Sequence, residues 1–241
     1  MQKDTYLRSI LKAISWRFFG SLATSVIVYC FTRKGALALA VGGVEVVAKI
    51  GIFFVHERIW EKLSFGKKEV IPPVLWFTGL PCSGKTTLSK SVAEAIEKKG
   101  WKVEILDGDS IRKLFPQMGF TRKDRDEHIR RIGLLASRLQ AHGVVVVASF
   151  VSPYRDSRAF VRGLCQNFVE IYVSTPLAEC EKRDVKGMYA KARLGQIKGF
   201  TGIDDPYESP LTPEIEVDTS GISLENSTRQ ILTYLDSATI V

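Results

Sequence analysis

Gly79-Leu80-Pro81-Cys82-Ser83-Gly84-Lys85-Thr86 has the spacing G-x-x-x-x-G-K-[ST]. In a loop of this kind, backbone N–H groups at a helix N-terminus wrap the phosphates of a nucleotide. Lys85 would reach the β and γ phosphates, and Thr86 would place its hydroxyl on Mg²⁺. Farther along, Asp107-Gly108-Asp109 sets two carboxylates two residues apart. Such a pair is expensive to bury without a cation or a hydroxyl group beside it. One carboxylate suits a water-mediated hold on Mg²⁺, and Asp109 joins Thr86 as an expected metal ligand. The other suits orientation or deprotonation of a hydroxyl. A solvated turn is the plainer alternative. Arg112, a turn later, and Arg125, near the start of a predicted helix, are candidate anion ligands. Ser152, in Val151-Ser152-Pro153-Tyr154-Arg155, is expected on the rim facing the phosphate loop, with no His or Asp placed in sequence to activate it. The stretch Asp184 to Tyr207, with Lys182 and Arg183 just ahead of it, carries Lys186, Lys191, Arg193 and Lys198 among glycines. It reads as a basic flap that closes over polyphosphate and excludes water, or as a charged surface helix.

The elements needed to hold these residues are legible around them. An apolar strand, Val74 to Thr78, runs into the phosphate loop, and a helical run, Thr87 to Lys99, leaves it. Lys102 to Leu106 reads as a strand that delivers Asp107 and Asp109, and Asp124 to His142 as a helix. Val144 to Ser149 reads as a fully buried strand that delivers Ser152. Phe168 to Val173 is another strand, a helix opens after Thr175-Pro176, and a last helix covers roughly Glu225 to Asp236. This alternation predicts a parallel sheet with helices on both faces and a ligand site at the carboxyl ends of the strands.

The charge of the 241-residue chain is unevenly spread. Residues 1–68 hold 11 Lys/Arg against 4 Asp/Glu, and residues 69–241 hold 23 against 22. Of the net +8, +7 therefore belongs to the N-terminal quarter, and no nucleic-acid surface is indicated on the larger part. Cys30, Cys82, Cys165 and Cys180 are scattered without a C-x-x-C, so neither a disulfide framework nor a zinc site is expected.

That N-terminal quarter contains two apolar stretches, Phe18 to Thr32 and Gly35 to Val55, joined at Arg33-Lys34. At 1.5 Å per residue the second is about 31 Å long, enough for a bilayer core of about 30 Å. Its Leu, Ile, Val and Phe residues favour insertion by roughly 3–7 kcal/mol, against roughly 5–7 kcal/mol for Glu45 and Lys49. Their i, i+4 spacing lets the two charges pair. The expectation is a transmembrane helical hairpin over residues 1–63, membrane-embedded through residues 13–55, followed by a linker over 64–73 and an α/β domain over 74–241. Basic residues at both ends (Lys3, Arg8, Lys12, Arg17; Arg58, Lys62, Lys67, Lys68) outnumber those in the connection. The positive-inside rule then puts both termini and the larger domain on the cytoplasmic face of a cell membrane. An amphipathic pair lying on a membrane or packing on the larger domain is the bland alternative.

Two resemblances follow from these residues. Lys12-Ala13-Ile14-Ser15-Trp16-Arg17, His56-Glu57-Arg58-Ile59-Trp60 and Phe65-Gly66 resemble a small uncharacterised family of two-helix membrane domains. The segments WFTGLPCSGKTTLS, LDGDSIR, GFTRKDRDEHIRRIG, SFVSPYRDSR and KGMYAKARLGQIKGFTGIDDPYESP resemble the adenylyl-sulfate (APS) kinases across about Val74 to Pro210. That resemblance implies a P-loop NTPase-type fold and transfer of the γ-phosphate of ATP to the 3′-hydroxyl of adenosine 5′-phosphosulfate, giving PAPS and ADP. It implies that Gly79 to Thr86 bind ATP with Mg²⁺, with Lys85, Asp109 and Ser152 as the catalytic set. It implies an APS site from Asp107, Asp109, Arg112, Phe120, Arg125, His128, Val151, Ser152, Lys198 and Phe200, with Phe200 matching an aromatic that stacks on adenine. Ser152 matches a position described as a phosphoserine intermediate, although direct in-line transfer needs only positioning and charge stabilisation. His128 replaces the usual asparagine, and Val185 replaces the usual proline of Asp-Pro-Lys-Gly. A homodimer, and proximity to the sulfate adenylyltransferase that makes APS, have no residue behind them. The alternative function is a membrane-anchored nucleotide-binding sensor or scaffold without turnover.

Overall fold

The computed structural model describes residues 2–4, 38–63, 67–69, 71–114, 119 and 121–238, with scattered positions between 7 and 30. It divides into two compact units, Met1–Val70 and Ile71–Val241.

In the second unit a five-stranded parallel sheet has the order β4-β5-β3-β6-β7, from β3 (Val74–Gly79), β4 (Val103–Asp107), β5 (Val145–Ser149), β6 (Phe168–Val173) and β7 (Ile215–Val217). Helices α2 (Lys85–Lys98), α3 (Gly108–Leu114), α4 (Arg122–Ala141), α5 (Arg155–Leu164), α6 (Leu177–Arg183), α7 (Met188–Arg193) and α8 (Leu224–Ser237) join and flank the strands. The central strand β3 is buried along its whole length, as a strand covered on both faces must be. From β3 the chain goes outward to β4, back to β5, and then to β6 on the other side. The switch point, where α/β sheets bind ligands, therefore lies at the carboxyl end of β3.

Two local devices shape the face toward α4 and α5. Thr121 caps α4 in a reciprocal box with Asp124: the Asp124 N–H donates to Thr121 Oγ1 at 3.2 Å, and the Thr121 N–H donates to Asp124 Oδ2 at 3.1 Å. This capping moves the start of the helix two residues ahead of the expected Asp124. At Gly133 a Cβ would come within 2.4 Å of Val161 Cγ2 on α5, so the close approach of the two helices requires glycine. Below them Val74, Trp76, Ile129, Ile132, Ala136, Val146, Phe150 and Val161 form one apolar cluster.

In the first unit α1 (Ala38–Lys62) is a 25-residue helix. A short antiparallel pair joins β1 (Gln2–Asp4) to β2 (Lys67–Glu69), setting Asp4 opposite Lys67. Part of the expected linker is therefore strand, because the N-terminal residues supply a partner that local composition does not reveal. Most of the first expected apolar stretch, Phe18 to Thr32, lies outside the described residues, as does Phe120. Among the described residues no helix is long and apolar enough to cross a membrane, so the fold shows the parallel sheet and not the expected transmembrane hairpin.

Candidate active site

The phosphate loop is built by its backbone. Gly79 has φ +154°, and a Cβ there would stand 2.5 Å from the carbonyl oxygen of Val173. Cys82 adopts φ +59° and Gly84 caps α2 from the left-handed region. The loop is held from outside by two threonines that the sequence reading missed. Thr175 after β6 and Thr219 after β7 both donate to the carbonyl of Ser83, at 3.0 and 2.9 Å, and Arg183 donates to Thr219 Oγ1 at 2.8 Å. Their position two residues beyond a strand's carboxyl end was the available signal.

Lys85 is 7 % exposed and donates to the carbonyl of Leu80 at 2.6 Å and to Ser83 Oγ at 3.3 Å. Burial, opposed by neighbours that include Asp107, pushes its pKa down to about 8. Thr86 Oγ1 donates to Asp107 Oδ1 at 3.3 Å, and the Asp109 N–H donates to Asp107 Oδ2 at 3.3 Å. Asp109 itself is exposed and pairs with Lys186 from the flap. The structure thus sets Asp107, rather than the expected Asp109, beside the Thr86 hydroxyl. Among the described residues no group of three or more His, Cys, Asp or Glu could hold a metal on its own. A hydroxyl and a carboxylate beside a phosphate loop suit Mg²⁺, which keeps waters and takes phosphate oxygens as ligands.

On the other side lie Arg112, Arg125 and His128. Burial, and then the positive charge of Arg125, lower the Arg112 pKa, with Asp109 opposing. Two arginines that repel each other in a partly buried site define a place for an anion. Arg125 also reaches the flap: Nη1 donates to Thr201 Oγ1 at 2.5 Å and pairs with Asp205 at 2.9 Å, and Nη2 donates to the carbonyl of Gly199. Tyr154 Oη donates to both oxygens of Asp205. Asp204 accepts the N–H groups of Gly199 and Phe200 at 2.6 and 2.5 Å, which closes the turn. The expected flap is therefore a folded, tied segment containing α7.

Phe200 is 8 % exposed, edge-on to Tyr189 at 4.9 Å, in a cluster with Cys180 against which Leu80 and Cys82 pack. It lies against the phosphate loop, and Tyr189 Oη donates to the carbonyl of Pro81 at 2.9 Å. Lys198 is exposed and Val151 half-buried. Ser152 differs most from expectation. Far from lining a rim, it is 1 % exposed at φ +39°, a conformation that costs a non-glycine residue about 1–3 kcal/mol. Its hydroxyl accepts from Trp76 Nε1 at 3.1 Å and donates to Thr78 Oγ1 at 2.9 Å, which donates on to the carbonyl of Val151 at 2.9 Å.

His128 is 3 % exposed and edge-on to Phe150 at 5.8 Å. Burial, then Arg112 and Arg131, push its pKa down to about 4. Between about pH 4 and the model-peptide value of about 6.5, the unfolded chain binds this proton and the folded chain does not. Stability therefore rises with pH across that window, and His128→Asn is expected to flatten this part of the melting-temperature profile. An unchanged slope in the variant would show that His128 titrates normally.

Comparison with known proteins agrees with this architecture. Residues 71–218 match the adenylylsulphate kinase family, and residues 10–61 match a family described as predicted membrane proteins, DUF2061. The adenylyl-sulfate kinase of a Picosynechococcus strain is 52 % identical over 162 residues, covering 67 % of this chain and 92 % of that protein. That of Geotalea daltonii is 45 % identical over 184 residues, covering 75 % and 91 %. The Mycobacterium tuberculosis APS kinase CysC, solved with AMPPNP and APS, superposes with a TM-score of 0.66 at 36 % identity, covering 70 % of this chain and 99 % of that one. A strand-flanked phosphate loop, a carboxylate pair facing it and identity on this scale lead to one conclusion: the chain belongs to the adenylyl-sulfate kinase family of phosphotransferases.

Proposed function

We propose that the second unit transfers the γ-phosphate of ATP in line to the 3′-hydroxyl of adenosine 5′-phosphosulfate, with the phosphate loop and Asp107 as donor site and the Asp109–His128 side as acceptor site. The observation that carries this reading is the convergence of Lys85, Thr86 and Asp107 on one side with Asp109, Arg112, Arg125 and Lys186 on the other. Gly79 to Thr86 hold the polyphosphate through backbone N–H groups. Lys85 balances charge that builds on the transferring group. Thr86 and Asp107 would hold Mg²⁺, which when bound neutralises phosphate charge. Asp109 orients the acceptor hydroxyl or takes its proton, and Arg112 and Arg125 take the anionic phosphosulfate. The test is ADP release by the full-length chain with ATP, Mg²⁺ and APS. No turnover with APS, or equal turnover with adenosine, overturns it. Binding of both nucleotides without product favours a sensor.

In this reading Ser152 is structural. Its hydroxyl is spent on Trp76 and Thr78, and no base stands against it. Ser152→Ala leaves the Trp76 N–H short of a partner, so stability falls by about 1–3 kcal/mol. Turnover is expected to stay within about tenfold, because the transfer itself needs only positioning and charge. A phosphoenzyme route predicts a loss of several orders of magnitude and a trapped phosphoserine. Rapid-quench labelling with γ-labelled ATP separates the two.

For the first unit we propose a membrane-embedded hairpin with both termini cytoplasmic. Several of its polar groups meet between segments: Arg8, 2 % exposed, donates to the carbonyls of Leu63 and Trp60, Lys12 pairs with Glu57 at 2.8 Å, and Trp60 Nε1 donates to buried His56 at 3.0 Å, while Arg58 and Glu61 pair on the exposed end of α1. Its outer surface carries Leu7, Ile10, Ile14, Phe53, Phe54, Val55 and Ile59, all exposed. Within residues 13–55 the exposed large side chains among those described, Ile14, Phe19, Phe53, Phe54 and Val55, are apolar, which a hydrocarbon solvent favours, and the polar contacts cluster just beyond both ends of that stretch. Recovery of the full chain in the soluble fraction would refute the anchor.

A further inference from the structure

The loop after β5 and the segment returning from the flap meet on one buried guanidinium. Arg158, in the first turns of α5, is 3 % exposed. Its Nε donates to Glu170 Oε1 at 2.8 Å, Nη1 to the carbonyl of Ser152 at 2.6 Å, and Nη2 to the carbonyl of Glu208 at 2.6 Å. Glu170 is anchored in turn. Its second oxygen accepts from Arg162 at 3.2 Å, and its N–H donates to Glu214, which Arg162 also grips at 2.5 Å. The same two segments meet twice more: the Glu208 N–H donates to the carbonyl of Pro153 at 2.8 Å, and the Arg155 N–H donates to Glu208 Oε2 at 2.8 Å. Beside them Tyr207 Oη lies 2.9 Å from Thr78 Oγ1 of β3, which donates to the carbonyl of Val151.

We propose that Arg158 is a positioning residue for the acceptor nucleotide. It clamps the strained Val151–Ser152 turn to Glu208 at the root of the flap, and so sets the separation between the two surfaces that enclose the acceptor. The planar fork sends donors in three fixed directions. A lysine in its place keeps the Glu170 pair and loses at least one carbonyl. The phosphate loop has supports outside the flap, Thr175 and Thr219, neither of which runs through Arg158. The clamp therefore acts on acceptor binding and leaves donor binding alone. A merely structural Arg158 would lower the melting temperature and move both Michaelis constants together or neither.

This inference rests on the acceptor site proposed above, and the experiment separates the two. Steady-state kinetics of the full-length chain would be measured for Arg158→Lys and for the double variant Arg158→Gln, Glu170→Gln, which leaves no unpaired buried carboxylate. The expected result is a rise in KM for APS of about tenfold or more in the double variant, a smaller rise in Arg158→Lys, and a KM for ATP within about twofold of wild type. Tyr207→Phe, which cuts the tie from the same root through Thr78 to the Val151 carbonyl, is expected to show the same split. Should the double variant not fold, Arg158→Lys and Tyr207→Phe decide the matter. Unchanged or equally raised constants in the folded variants overturn the clamp. A wild-type chain that does not turn over APS sinks the acceptor reading itself.

Discussion

Lys85→Met lowers kcat by about 10³-fold and leaves the fold intact. The side chain of Lys85 is buried among the loop's own oxygens, donating to Leu80 and Ser83. Methionine fills nearly the same volume without the charge. What disappears is a cation aimed where negative charge accumulates during transfer, and one such preorganised donor is worth about 10²–10³ in rate. The lowered pKa adds a second, independent readout. At about 8 in the ligand-free chain, the amine is partly neutral just above neutral pH, and polyphosphate beside it restores the proton. ATP binding near pH 8 is therefore expected to take up protons, and affinity to weaken as pH rises past 8. Calorimetry in buffers of different ionisation enthalpy measures this uptake, which Lys85→Met should abolish. Uptake that persists in the variant would place the titrating group elsewhere.

What could be read from the residues in order, and what could not, divides by distance along the chain. The phosphate loop, its strand and its helix form one contiguous segment, and so does the Asp107–Asp109 turn. Local backbone rules reach that far. Ser152 was expected on a rim because it follows a strand that points at the site. Its hydroxyl is instead captured by Trp76 and Thr78, on a strand far earlier in the chain, and nothing near Ser152 announces them. Arg125 looked like a plain anion ligand, and its ties to Gly199, Thr201 and Asp205 depend on how the flap folds back. Phe200 matches an adenine-stacking position, and its edge-on contact with Tyr189, in a cluster that Leu80 and Cys82 pack against, depends on how the flap meets the phosphate loop. The membrane reading came from apolar length. The contacts of Arg8, Lys12 and His56 join residues about forty to fifty-five apart in the chain, out of reach of local pattern.

Arg125→Gln is expected to cost about 10²-fold in kcat/KM for APS, the scale on which misplaced reacting groups lose rate, and to raise the ratio of ATP hydrolysed to APS phosphorylated. The two effects have separate origins in one side chain. Beside Arg112, Arg125 supplies half of a paired positive site, and its loss weakens binding of the acceptor's anionic end. Through Nη1 and Nη2 it also holds Gly199, Thr201 and Asp205. Without that hold the flap opens, and water gains access to the γ-phosphate. Asp205→Asn isolates the second role, since it leaves the Arg125 charge in place and weakens the tie to Asp205 and the Tyr154 hydrogen bonds that converge there. It should leak ATP with little change in APS affinity. A double-mutant cycle between the two positions should show clear coupling in the leak. If Arg125→Gln raises KM for APS while hydrolysis without APS stays at the wild-type level, Arg125 acts on the acceptor alone and the flap is closed by other contacts.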